Sequence, residues 1–178
     1  LALVHHPVLN KHGDVIASAV TNLDIHDLAR AARTYGVRAV YVVTPLEDQK
    51  ILVRRIVSHW TAGVGGVFNP DRKTALDLVS IQDSIQSCRE DIVTREHAPA
   101  VLVATSARPY PGALAIEGLK QRLREGTPHL LLFGTAWGLA PECISRSDHI
   151  LAPIRAEADY NHLSVRSAVS ILLDRLVG

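Results

Sequence analysis

The chain has 178 residues, 47% of them hydrophobic, and sets 19 Lys and Arg against 18 Asp and Glu for a formal net charge of +1. That length is enough for one sizeable core and is most simply a single domain, residues 1–178, while the near-neutral balance excludes a large basic field and leaves room only for a local basic patch. Two cysteines, Cys88 and Cys143, without CxxC spacing exclude a disulfide framework and a structural zinc; with no apolar run long enough to span a membrane and no leader pattern at LALVHH, a cytoplasmic protein is expected.

LALVH (1–5) reads as a first strand, and the region after it, HHPVLNKHGDVIASAVTN, holds a single glycine, so the GxGxxG dinucleotide fingerprint is missing. TNLDIHDLARAARTYG has helical apolar spacing and leads into a second strand, RAVYVVT (38–44). LEDQKILVRRIVSHW predicts another helix, and TAGVGGVFNPDRK, with three glycines and a proline, predicts the longest loop. LDLVSI (76–81), AVLVATS (100–106), HLLLFG (129–134) and HILAPI (149–154) follow as strands, separated by the helical patterns SIQDSIQSCREDIV and AIEGLKQRLREG. HLSVRSAVSILLDRLVG predicts a closing amphipathic helix with Leu163, Val165, Ala168, Val169, Leu172 and Leu176 toward the core. Strands apolar at nearly every position, alternating with helices, predict an α/β fold with a six-stranded parallel sheet flanked by helices.

In such sheets ligands sit beyond the carboxyl ends of the strands. The loop GTAWGL (134–139) leaves the fifth strand there, and Gly134 and Gly138 either let backbone approach a ligand or serve only a sharp turn. It is no P-loop, since GK[ST] is absent. Other residues stay open between packing and function. His5 and His6 point to opposite faces of a strand, so they cannot share a metal; His26-Asp27 lacks a GxSxG partner; HExxH is absent, and no metal is expected. Trp60 beside His59 reads as packing, and Trp137 as a lid, a dimer anchor or a stacking platform for a base.

Phe133-Gly134 with Gly138-Leu139, then Pro153-Ile154, then His162-Leu163-Ser164-Val165 at the head of the last helix form a set of three stretches. Together they resemble the SPOUT class of S-adenosylmethionine-dependent RNA methyltransferases. TNLDIHDLARAARTYGVRAVYVV is similar to the family's first motif, with Asp24, Arg30 and Tyr35-Gly36 at its positions. The nearest likeness is to the carboxyl-terminal domain of tRNA guanine-N1 methyltransferases. The resemblance implies a carboxyl-terminal trefoil knot (the SPOUT or alpha-beta knot), a homodimer, S-adenosyl-L-methionine as cofactor, and an RNA substrate, tRNA or rRNA, modified on a base nitrogen or a ribose 2′-hydroxyl. It implies cofactor contacts at Thr105, Ser106, Phe133, Gly134, Gly138, Ile154, Leu163 and Ser164, catalytic roles for Arg30 and Asp159, and substrate contacts at Arg155 and Asn161. A separate RNA-recognition domain or partner chain is compatible with this. The family's loop Glu is missing from Thr135-Ala136-Trp137, His162 replaces an Asn, and Asp24 stands where Asn is usual. These departures keep an alternative in view: a non-catalytic RNA- or protein-binding module that retains the knotted fold.

Overall fold

A computed structural model describes residues 1–155, 157 and 159–178. The chain opens with β1 (Ala2–Val4) and a small antiparallel ladder of β2 (Val8–Leu9) and β3 (Val15–Ile16), too short to leave a periodic trace in the sequence. α1 (Asn22–Thr34) starts where the Thr21 hydroxyl accepts the Asp24 N–H, and it buries Ile25, Leu28, Ala29 and Ala32 at helical spacing. Gly36, at φ +69°, turns the chain into β4 (Val40–Val43), after which α2 (Glu47–Thr61) runs as expected.

The segment expected to be the longest loop instead holds α3 (Val64–Phe68) and α4 (Pro70–Leu76). Its glycines serve close packing: a Cβ on Gly66 would lie 2.3 Å from the Trp60 carbonyl oxygen. Asn69 and Pro70 act as helix-start signals, the Asn69 side chain accepting the Arg72 N–H at 2.9 Å. Then come β5 (Val79–Gln82), α5 (Ile85–Glu96), β6 (Val101–Ala104), α6 (Ile116–Leu123), β7 (His129–Gly134), α7 (Pro141–Ser145), β8 (His149–Ile150) and α8 (Val165–Val177). The sixth expected strand is thus shorter than HILAPI. Leu163, expected in the core, precedes the closing helix and is exposed, and Leu173, not among the expected residues, is buried beside Val169, Leu172 and Leu176.

The six long-sheet strands are all parallel in the order β5-β4-β1-β7-β6-β8, so β1 and β7 lie at the centre. Side chains alternate between two apolar layers, as the strand period requires. Ala2, Val4, Tyr41, Leu102, Leu130 and Leu132 face Cys88 and Ile92 of α5 and Cys143 and Ile144 of α7. Leu1, Leu3, Val103, Leu131 and Phe133 face Leu28, Leu119, Val169, Leu172, Leu173 and Leu176 on α1, α6 and α8. Both cysteines are free and buried, which pushes their thiols up to about 12 for Cys88 and about 11 for Cys143.

Candidate functional site

The carboxyl ends of β6, β7 and β8 open into a cavity of about 590 Å³, within the range of small-molecule sites. Its walls are the loop after β6 (105–108), the loop after β7 (135–138), the segment after β8 (152–154 and 161–164), the first turn of α8, and Ser18 to Thr21 with Asp24 ahead of and on α1. Leu151, Ile154, Leu163, Val165 and Leu172 supply apolar surface.

The loop after β7 is tied to the amino-terminal ladder. Trp137 N–H donates to the Leu9 carbonyl at 3.0 Å, and Leu9 N–H donates to the Gly138 carbonyl at 2.9 Å. A Cβ on Gly134 would lie 2.4 Å from Leu139 N and 2.7 Å from Gly138 C, so the close approach that demands glycine there is by the loop's own backbone. Gly138 would meet nothing within 4 Å, but its φ of +102° is a conformation that side-chain-bearing residues rarely adopt. Both glycines are therefore required by the turn itself, whichever ligand lies beside it.

Hydroxyls on the walls are already engaged. Thr105 Oγ1 donates to the Leu132 carbonyl at 2.8 Å, Ser106 Oγ accepts the Arg108 N–H at 3.0 Å, and Ser164 Oγ caps α8 by accepting the Ser167 N–H at 3.2 Å. Asn161 Nδ2 reaches the Ala107 carbonyl at 3.4 Å, joining the segment after β8 to the loop after β6. One ion pair closes the wall between α1 and α8: Arg166 lies 2.9 Å from Asp24, whose side chain is 9% exposed, and 3.4 Å from Asp27. Asp24 also accepts the Thr21 hydroxyl at 2.6 Å.

Behind the wall, His5 is fully buried, with Nδ1 3.0 Å from Ser18 Oγ, which in turn lies 2.5 Å from Thr135 Oγ1. Nε2 is buried without a partner among the described residues, and burial lowers the imidazole to about 4 against a smaller opposing pull from Asp24.

Of the residues singled out from the sequence, Thr105, Ser106, Phe133, Gly134, Gly138, Ile154, Asn161, Leu163 and Ser164 line this one cavity. Arg155 and Asp159 are exposed and lie outside its wall, and Arg30 is exposed on the outer side of α1. Asp27, three residues before Arg30 on α1, pairs with Arg166. Trp60 is a packing centre, with His26 and His59 edge-on at 5.5 and 5.1 Å and the Arg72 guanidinium 4.7 Å over its ring. Sequence reasoning passed over Arg166, Arg108, Ser18 and Thr21. Arg166 was legible as the residue following Ser164-Val165 at a helix head, and Thr21 as a helix start in Thr21-Asn22-Leu23-Asp24; Ser18 carried no motif signal.

A family profile described as SAM-dependent RNA methyltransferase matches residues 1–178. The tRNA (guanine-N(1)-)-methyltransferase of Oleidesulfovibrio alaskensis is 48% identical over 177 residues, which is 99% of this chain and 41% of that protein. An uncharacterized protein of Aquifex aeolicus is 37% identical across 99% of this chain and 86% of its own length. The chain thus spans about two fifths of the first relative and most of the second. Among solved structures, the SpoU methyltransferase AviRb from Streptomyces viridochromogenes in complex with the cofactor AdoMet aligns with a TM-score of 0.58 at 17% identity, covering 99% of this chain and 56% of that one, a likeness of fold.

Proposed function

From the premise that the chain belongs to the SAM-dependent RNA methyltransferase family, we propose that it binds S-adenosyl-L-methionine in the cavity beyond β6, β7 and β8 and methylates RNA. The observation that carries the reading is the cavity itself, where an apolar wall faces three loops whose side-chain hydroxyls are spent on the fold. Such a site fits a ligand with an apolar ring system read by main-chain groups. The first turn of α8 offers backbone N–H groups and a positive dipole end to a carboxylate, with Arg166 beside it.

The cofactor supplies a methyl group on a sulfonium, already electrophilic without assistance. The chain's own residues have to align an acceptor atom and, where needed, take its proton. Thr105, Ser106, Phe133, Gly134, Gly138, Ile154, Leu163 and Ser164 hold the cofactor, while Arg155 and Asn161 touch the RNA. Asp159 is the proposed base for a ring nitrogen, reaching the site from an exposed position three residues before His162, which lines the wall. Arg30, on the outer side of α1, approaches the cavity of a second copy in a homodimer and aligns a phosphate or a ribose hydroxyl. The proposed chain path is a trefoil knot. Two features support it: β7 inserts between β1 and β6, and the segment after β8 returns against the loop after β6. Among the described residues no helix is long and apolar enough to cross a membrane, which accords with the proposed cytoplasmic location.

The test combines binding and turnover. Calorimetry should show S-adenosylhomocysteine binding, and methyl-labelled S-adenosylmethionine should label bulk tRNA or rRNA. Asp159→Asn should slow a base-nitrogen transfer by roughly 10²–10⁴ with cofactor binding unchanged, whereas a ribose target would make Arg30→Ala the severe change. Cofactor binding without label in any RNA would favour the non-catalytic binding module; absence of cofactor binding would defeat the proposal.

A further inference from the structure

We infer that Trp137 and Arg108 form a clamp for one nucleotide of the RNA at the cavity mouth, the indole taking the face of a base and the guanidinium its phosphate; this rests on the methyltransferase reading. The two residues stand on different loops, after β7 and after β6, and line the same cavity.

Trp137 is the odd residue of its loop. Its backbone is fixed by the bond to Leu9, and the neighbouring Gly138 carbonyl by the Leu9 N–H. Ala136, immediately before it, holds a φ of +51°, a left-handed conformation unusual for a residue with a Cβ. Strain and hydrogen bonds thus fix the backbone of a residue whose large apolar side chain is then left 57% exposed. Packing does not account for this, because the side chain is mostly outside the core. A rigid, exposed indole beside a cavity is the form of a stacking platform, and every base offers it a π face.

Arg108 supplies the charge. Its backbone is held by Ser106, its side chain is exposed, and no carboxylate lies within ion-pair distance among the described residues. The other cation of the wall, Arg166, is already engaged by Asp24 and Asp27. Arg108 is therefore the uncompensated positive charge of the cavity rim and suits a phosphate oxygen. Leu151 and Leu172 of the same cavity are buried whereas Trp137 and Arg108 are exposed, which sets the clamp at the mouth.

The experiment measures binding of fluorescein-labelled single-stranded RNA and of bulk tRNA, with S-adenosylhomocysteine present, over a series of salt concentrations. Trp137→Ala should weaken binding by about tenfold to a hundredfold and leave the salt dependence unchanged, as loss of one stacked base predicts. Arg108→Ala should weaken binding and lower the slope of log affinity against log salt by about 0.7, one phosphate contact on a single strand. Neither should alter affinity for S-adenosylhomocysteine, and in a Trp60→Phe background, where Trp137 is the sole tryptophan, its emission should be quenched by RNA. Wild-type affinity in Trp137→Ala, or a wild-type salt slope in Arg108→Ala, would overturn the clamp alone. Emission that follows protein concentration instead of RNA would make Trp137 a self-association contact and also overturn it. A wild type that binds neither S-adenosylhomocysteine nor RNA would defeat the reading beneath it.

Discussion

Acidification should loosen the site from behind, through His5. The ring is fully buried, Nδ1 is used by Ser18, and Nε2 has no hydrogen-bond partner among the described residues, so the cost of burying an imidazolium outweighs the opposing pull of Asp24 and of the Ala19 and Ser18 backbone. Folding lowers this histidine from 6.5 to about 4, so between those values the unfolded chain binds the proton and the folded chain does not. Stability is therefore fully present above pH 6.5 and is lost as the pH falls toward 4. Linkage with those two values gives a loss of about 2 kcal/mol by pH 5 and about 3 kcal/mol by pH 4. The assay is urea denaturation from pH 7.5 to 4 for the wild type and for His5→Leu, which keeps an apolar side chain without a proton to bind. The difference between the two profiles isolates His5 from the carboxylates that titrate in both. Because Ser18 joins the ring to Thr135, affinity for S-adenosylhomocysteine should fall over the same window. Parallel stability profiles for the two proteins would refute the argument.

The loop glycines give a second test. Gly134→Ala drives a Cβ into the Leu139 and Gly138 backbone and should cost about 1–3 kcal/mol in urea denaturation, with cofactor affinity lost as the loop shifts. Gly138→Ala meets no atom and should cost only the backbone strain, about 1–2 kcal/mol, so a larger loss for Gly138→Ala than for Gly134→Ala would contradict the geometry. Asp24→Asn keeps a partner for Thr21 but leaves Arg166 facing only Asp27, and should lower stability by about 1–3 kcal/mol at neutral pH. An unchanged denaturation midpoint would mean that this ion pair does not couple α1 to α8.

How much of this was legible in the sequence varied with the length over which a signal repeats. The central strands and α1, α2 and α5 carry several apolar residues each, and one face of the sheet or helix explains all of them, so periodicity located them. β2 and β3 have two residues apiece and are set by tertiary contacts to the loop after β7, which no local pattern encodes. In TAGVGGVFNPDRK the glycines suggested a loop, but all three sit against α2 where a Cβ would collide with His59 or Trp60, while Asn69-Pro70 starts a helix. The cavity residues were found where they belong to a contiguous stretch at the end of β6 or β7, after β8 or at the head of α8. Ser18 and Thr21 meet those stretches only through space, and a single sequence holds no record of such contacts.

The charges around the cavity separate what one chain can do from what it needs a second chain to do. Its ionisable wall residues among those described are Asp24, Arg108, His162 and Arg166. Asp24 and Arg166 neutralise each other and tie two helices together, so neither is free to meet a reacting group without breaking that tie. Arg108 cannot accept a proton at any working pH, which leaves His162 as the ionisable acceptor on the wall, with the proposed base Asp159 exposed and off it. Arg30 is exposed on α1 with Leu23, 63% exposed, on the same helix, and neither faces this cavity. An apolar side chain and a cation set outward on the helix whose inner side builds the site are what a two-fold contact would use, and such a contact would add a second cation to a cavity that now offers one. The proposed homodimer would meet that shortage of charge: a second cation from the neighbouring copy would help to fix the acceptor's direction of attack.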